Sequence, residues 1–399
     1  MTNIMLTIAL SIIAGFTFAM EWKLRTFTLL IWPFIAIYTI IPLLLASMHI
    51  IDIVDAHILS NAVLIAICIT TPYSITFFLL NYQNLRTPRT NKLNISNIYK
   101  PIPYICIAVV FIILAINNIG FNTIFISTWR DQTQLGFGAV IILWSLSLLS
   151  GPMAAALKHK EYLLFLSALI TFIIILIFFR TRAILIIALF PLLMILIESR
   201  RNHFLSIVTF AFALFLSASM VRAIRFQGRL DNVVSNGNLT QTFAKIISDT
   251  FETGDLSSYK YFLYIVRDCG AHINCFNATT SMRVFEILGL TRLDQARLEY
   301  YLFDQYNIQG IGGSIHPTFY GIAYGDFGLI GGMIFAASLA ALHTAFRALR
   351  SPRYAPYVIG FFGPYCLFFA RGSFYNSFSA LVVGIVIALS ISLITKRRH

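Results

Sequence analysis

The sequence predicts an all-α, polytopic integral membrane protein with about 11 transmembrane helices and a long helical loop between the eighth and ninth. Two observations carry this. The chain is 58% hydrophobic and only 11% charged, with mean hydropathy +0.80, more apolar side chain than a soluble fold of this length could cover. Apolar runs of about 20 residues, the length that crosses a hydrocarbon core as helix, recur from end to end.

The first run, 4–20, has no basic segment before it and reads as a span, not a cleavable signal. Further spans are expected at 26–48, 60–80, 104–120, 137–157, 162–179, 183–197, 204–221, 325–346, 356–370 and 377–395. The shortest, 183–197 and 356–370, are candidates for tilt or partial unwinding. This organises the chain as helices over 1–221, an outward loop over 222–324, and helices over 325–399. No heptad repeat or low-complexity tract is present.

Lys and Arg in short loops set the orientation. Lys23 and Arg25, Arg86, Arg89, Lys92 and Lys100, Lys158 and Lys160, Arg200 and Arg201, Arg347, Arg350 and Arg353, and the C-terminal Lys396, Arg397 and Arg398 fall on one side, taken as inside. The acidic residues of those loops are Glu21, Glu161 and Glu198. The N-terminus is then outside and the C-terminus inside. The net charge of +13 follows from this asymmetry and is no nucleic-acid footprint.

The outward stretch from Arg222 to Gly332 carries helical signals of its own. Apolar residues recur at helical spacing in 240–252, in 258–266 (Tyr259, Phe262, Leu263, Val266) and in 281–290, with Ser281 suited to cap the last of these; 292–306 is a fourth such segment. Together they predict a compact cap. The Gly-rich run 309–314 reads as a mobile gate or a plain turn. Cys269 and Cys275 lie in this stretch and would pair in an oxidising compartment. Cys68, Cys106 and Cys366 lie in spans and read as packing residues.

Four arginines break the loop-charge rule: Arg130, Arg180, Arg182 and Arg371, all in outward turns. A guanidinium presents planar paired donors that match phosphate oxygens, and ionisable groups at membrane depth are functional candidates. The ordinary alternative is a side chain that reaches to lipid headgroups or pairs with Asp52, Asp55 or Asp131. Arg222, Arg225 and Arg229 stand at the start of the long stretch, and Arg225 is the one expected to line a site.

The stretch closes with Ser314-Ile-His316-Pro317-Thr318-Phe-Tyr320-Gly-Ile-Ala-Tyr324-Gly-Asp326-Phe-Gly328-Leu-Ile-Gly331-Gly332. A long outward loop ending in this motif and running into a span resembles the O-antigen polymerases of the Wzy type, and is similar to the related O-antigen ligases. The Phe179-Arg180-Thr-Arg182-Ala183 hairpin and the Arg371-Gly372-Ser373-Phe374 turn also suit that group. Pro317 follows the motif histidine where the ligases carry a polar residue, which favours polymerase. Some polymerases carry an outward Arg with Gly eleven positions on; Arg225 and Gly237 depart from that spacing by one residue.

The resemblance implies polymerisation of polyprenyl-pyrophosphate-linked oligosaccharide repeat units into O-antigen or a related surface polysaccharide, as part of lipopolysaccharide biosynthesis. The implied site is periplasmic and the implied location the bacterial inner membrane. Donor and acceptor would both be lipid-linked, a chain-length regulator is a possible partner, and no metal or other cofactor is expected. Arg180, Arg182, Arg225 and Arg371 would hold the pyrophosphate. His316 would act as general base, with Asp326 to orient it or a sugar hydroxyl, and Tyr320 and Tyr324 would stack on sugars. The ordinary role of Asp326 is a buried partner for an outward arginine. Glu299 and Asp304 are weaker base candidates. A ligase acting on lipid A-core and a transporter remain as alternatives. Transporters show internal repeats and broken helices near the midplane; no repeat is visible, and the outward arginines lie near span ends.

Overall fold

A computed structural model of the chain describes residues 2–51, 55–86, 136–179, 182–199, 257–270, 316–351 and 354–396, with isolated positions at 105, 106, 109, 110, 113, 275, 298, 302 and 306. In chain order the helices are α1 (Thr2–Leu24), α2 (Ile31–Ile35), α3 (Ile41–Ser47), α4 (Ala56–Arg86), α5 (Gly136–Lys158), α6 (Tyr162–Phe179), α7 (Arg182–Ser199), α8 (Ser258–Asp268), α9 (Thr318–Ala345), α10 (Ala355–Arg371) and α11 (Phe374–Lys396). The fold is all-α among the described residues.

Four helices among the described residues are long and apolar enough to cross a membrane: Thr2–Leu24, Ala56–Arg86, Ile141–Lys158 and Thr318–Arg350. This corrects the expectation of about 11 spans. The other apolar helices are shorter, at Ile31–Ser47, Tyr162–Ile175, Ile186–Ile197 and Ser377–Ser390. The second expected span is the helix Ile31–Ser47, which carries Pro33 and Pro42 and passes through a π-helical turn at Ala36–Ile40. The expected spans at 104–120 and 204–221 lie outside the described residues, apart from isolated positions in the first.

The protein is a multi-span membrane protein, and its exposed surface agrees with that. Ile12, Leu79, Leu163 and Ile330 are 66%, 66%, 75% and 75% exposed on apolar helices, an outside that suits lipid and not water.

Two compact units divide the chain. The first comprises Met1–Arg89, Leu205–Ala345 and Cys366–Phe378. Here α1 buries Thr7, Leu10, Ala14, Thr17, Met20, Glu21 and Leu24, which recur at helical spacing, so one face meets a neighbour. The neighbour is α4, and the two run parallel. Asn3 Nδ2 donates to the Ala56 carbonyl at one end (3.1 Å), and Thr17 meets Ser74 farther along (2.5 Å). Asp55 caps α4, its carboxylate accepting from the His57 N–H at 2.8 Å.

α9 is not one continuous rod. Gly328 breaks it with φ 69° and ψ −174°, a region open essentially to glycine alone. Ring contacts show how far it bends. Phe319 and His343 both touch Phe369, with centroids 5.1 and 5.7 Å away. A continuous helix would hold two residues 24 positions apart at about 36 Å. Phe319 and Phe335 likewise share Phe374, at 6.1 and 5.4 Å. The short first half, 318–327, therefore folds back along the second half.

α4 is the ruler for this hairpin. Thr70 bonds the Tyr320 hydroxyl at 2.8 Å and Tyr73 bonds His343 at 2.6 Å, one turn apart on α4. Asn81 donates to Thr344 at 2.9 Å below them. Tyr320 thus sits about halfway along α4, away from either end.

The amphipathic α8 packs on α9 through Ile265, with Tyr259, Phe262 and Leu263 also buried, as the spacing in 258–266 predicted. A Cβ on Gly325 would lie 2.6 Å from Leu298, so the small residue is what lets Leu298 approach α9. Val266 is only half-buried; Ile265 takes its place inside. The expected helices at 240–252 and 281–290, with Ser281, fall outside the described residues. In 292–306, Leu298 and Leu302 are buried.

The second unit comprises Thr90–Phe204, Phe346–Tyr365 and Ser379–His399. α5, α6 and α7 share an apolar core of Leu146, Leu149, Met153, Ala168, Phe172 and Ile187, and α10 meets α5 where Gly360 faces Ser147 and Ser150.

Candidate functional site

The turn between α10 and α11 and the start of α9 meet within the first unit. The turn is built by Gly372 at φ 91°: its N–H donates to the Phe369 carbonyl at 3.0 Å, and the Ser373 N–H to the Phe368 carbonyl at 2.7 Å. This pair of bonds closes a helix that ends on a left-handed glycine and leaves Arg371 as its last residue. A Cβ on Gly372 would lie 2.6 and 2.8 Å from the Thr318 carbonyl carbon and nitrogen, and closer still to the carbonyl oxygen. Backbone therefore lies on backbone, and the Arg371 turn is held against the His316–Thr318 segment.

Thr318 is itself unusual. It is a β-branched residue at φ 68°, fully buried, and its hydroxyl has no hydrogen-bond partner among the described residues. Positive φ at such a residue is strained, by about 1–3 kcal/mol, and strain of this kind gathers at functional positions. His316, two residues earlier, is 8% exposed, and Arg371 is half-buried. The backbone contact thus joins two segments, one carrying Arg371 and the other His316 and the buried Thr318 hydroxyl.

Asp326 is 2% exposed and stands two turns beyond Thr318 on the short half of α9, about 12 Å along the axis. Tyr324 is half-buried on the same half. Tyr320 presents no face to a ligand. It is 0% exposed, its hydroxyl engages Thr70, and its ring lies against Phe262 and Phe319.

Arg182 opens α7 in the second unit, while Arg180 and Arg225 lie outside the described residues, as do Arg130, Glu299 and Asp304.

Beyond α8, Cys269 and Cys275 form a disulfide with a Cα–Cα distance of 5.5 Å. Arg267 grips Asp268 through two nitrogens, each at 2.7 Å, and Tyr306 donates to the same carboxylate. Burial, the bond to Asp268 and the charge of Asp268 push the Tyr306 hydroxyl up from its ordinary value. The same carboxylate pushes Arg267 upward.

One cluster escaped the sequence reading. Glu21 does not belong to a solvated loop; it is 0% exposed within α1. Its Oε2 accepts from Thr26 (2.5 Å) and Thr28 (2.6 Å), and its Oε1 from Trp32 (3.0 Å) and Tyr73 (2.9 Å). Tyr73 continues to His343. The signal in the sequence was an acid ending an apolar run and a histidine within one.

No protein-family model, no curated protein and no solved structure matches the chain. With four membrane-crossing helices among the described residues and no match of this kind, the assignment as an O-antigen polymerase of lipopolysaccharide biosynthesis is not upheld. The break at Gly328 also supplies the broken helix that the sequence did not reveal.

Proposed function

We propose that this membrane protein binds the phosphate-bearing head of a lipid-linked sugar where the Arg371–Gly372 turn meets His316–Thr318, and that it transfers that sugar. The single observation that carries the reading is the packing of Gly372 on the Thr318 backbone, which holds the turn after Arg371 against the segment that begins at the buried His316. Arg371 would neutralise the leaving phosphate, an electrostatic role suited to a site with little water. His316 would accept the proton of the attacking hydroxyl. The sugar leaves the phosphate as the acceptor oxygen bonds its anomeric carbon, and the released phosphate needs no proton. The location in this reading is a bacterial inner membrane with the site on its outward face. The disulfide Cys269–Cys275, which persists in oxidising compartments, supports that side.

The test is equilibrium binding to the protein in nanodiscs. The probes are a polyprenyl-pyrophosphate-linked oligosaccharide and the matching polyprenyl alcohol. The expected result is preference for the pyrophosphate form, weakened at least about tenfold by Arg371→Ala and partly restored by Arg371→Lys. Equal affinity for the two lipids would overturn the phosphate site. Binding without release of free polyprenyl pyrophosphate, when an acceptor sugar is supplied, would overturn the transfer step alone.

A further inference from the structure

Glu21, Tyr73 and His343 form an unbroken hydrogen-bonded chain across α1, α4 and α9, three of the helices long enough to span a membrane. Glu21 and His343 are 0% exposed and Tyr73 is 2% exposed. We infer that this chain is a proton-binding site, in which one proton passes between Glu21 and His343 through the Tyr73 hydroxyl.

The hydrogen count argues for it. The chain has two contacts, Glu21 Oε1 to Tyr73 at 2.9 Å and Tyr73 to His343 Nδ1 at 2.6 Å. Each needs a hydrogen, and the phenol supplies one. The second comes from Glu21 as a carboxylic acid, beside a His343 protonated at Nε2 alone, or from the Nδ1–H of a His343 imidazolium, beside a Glu21 carboxylate. Both arrangements satisfy the same heavy-atom positions, so the proton can change ends without a conformational change. In the transfer, the Glu21 O–H bond breaks as an O–H bond forms at Tyr73. The original Tyr73 O–H bond breaks as an N–H bond forms at Nδ1. A carboxylate and an imidazolium result, and the charges cancel.

The surroundings of Glu21 leave both states open. Its bonding partners, Thr26, Thr28, Trp32 and Tyr73, are all neutral. Lys23 is exposed, and Arg25 is half-buried in the turn after α1. From α10, Cys366 approaches the same region and bonds the Phe27 carbonyl at 3.5 Å. A buried carboxylate without a cation costs several kcal/mol, while each bond to it returns about 1.5–3 kcal/mol. Four such bonds bring the charged form within reach of the neutral one. Ionisable groups in spanning helices are kept for function more often than for packing.

The experiment is an infrared and ¹⁵N-histidine NMR titration of the full protein in lipid, from about pH 4 to about pH 9. The expected result is a protonated-carboxyl band, absent in Glu21→Gln, that changes in the same pH step as the His343 ring signals. In Tyr73→Phe the two signals should titrate in separate steps. A Glu21 band that is missing, or constant through the range, would overturn the proposal. So would separate Glu21 and His343 steps in the wild-type protein, a readout that needs no variant beyond the band assignment. Joint titration that survives Tyr73→Phe would overturn the role of the phenol.

Discussion

Gly372 lies against the backbone of Thr318, so close that a Cβ on it would fall 2.6 Å from the Thr318 carbonyl carbon. Two left-handed residues, Thr318 at φ 68° and Gly372 at φ 91°, face each other across this contact. Gly372→Ala would add both a backbone clash and a strained φ. The expected loss is at least about 2 kcal/mol, seen as a lower melting temperature, because the atoms it would meet are backbone atoms that cannot rotate aside. Thr318→Gly should keep stability or raise it, since it removes the strain and the unpartnered hydroxyl together. A Gly372→Ala protein as stable as wild type would show that the two segments are not held in contact.

The break in α9 makes a second prediction. Gly328→Ala should destabilise the protein by about 1–3 kcal/mol, since alanine does not tolerate its φ and ψ. Gly15 provides the contrast. It lies within α1, and a methyl group added there would meet nothing within 4 Å, so Gly15→Ala should stabilise by about 0.5–1 kcal/mol. Thermal unfolding of both variants in the same detergent checks the pair. Equal and small effects would mean that α9 runs straight through Gly328.

Much of the helical pattern was legible because it is local. The runs that became α1, α4, α5 and α8 announce themselves through length, apolarity or periodicity. The turn at Arg371–Gly372 was also visible, as a basic residue beside a glycine between two apolar runs. The hairpin in α9 was not. Gly325, Gly328, Gly331 and Gly332 look alike in sequence, and only packing against α4 and Phe374 selects Gly328 as the break. Distance along the chain hid the Glu21 cluster for the same reason, since Glu21, Tyr73 and His343 are brought together by helix packing. The burial of Tyr320 was not legible either, because a tyrosine in a motif beside other aromatics gives no sign that its hydroxyl will find Thr70.

That hydroxyl yields a third prediction. Tyr320→Phe leaves the Thr70 side chain its bond to the Ala66 carbonyl at 2.7 Å, so the buried hydroxyl is not stranded. The cost should be modest, about 0.5–1.5 kcal/mol in unfolding free energy. Affinity for a lipid-linked sugar should not change, because Tyr320 is sealed among Phe262, Phe319 and Thr70. A large loss of affinity with unchanged melting temperature would return Tyr320 to the ligand surface.

The anchor at the end of α8 should respond to alkali. Tyr306 has its hydroxyl raised above the ordinary value by burial, then by its bond to Asp268 and by the charge of that carboxylate. The folded state therefore holds this proton more tightly than the unfolded chain. The stabilisation is fully present below the unfolded value, about pH 10, and is lost as pH rises from there through the higher folded value. Limited proteolysis after α8, followed against pH, should stay flat through neutrality and accelerate above about pH 10. Tyr306→Phe should be cut faster at neutral pH, because Asp268 loses a donor, and should lose part of the alkaline acceleration. Asp268→Asn weakens the grip of Arg267 as well, so it should open this segment more than Tyr306→Phe does. An alkaline profile identical in wild type and Tyr306→Phe would show that the phenol does not hold the end of α8.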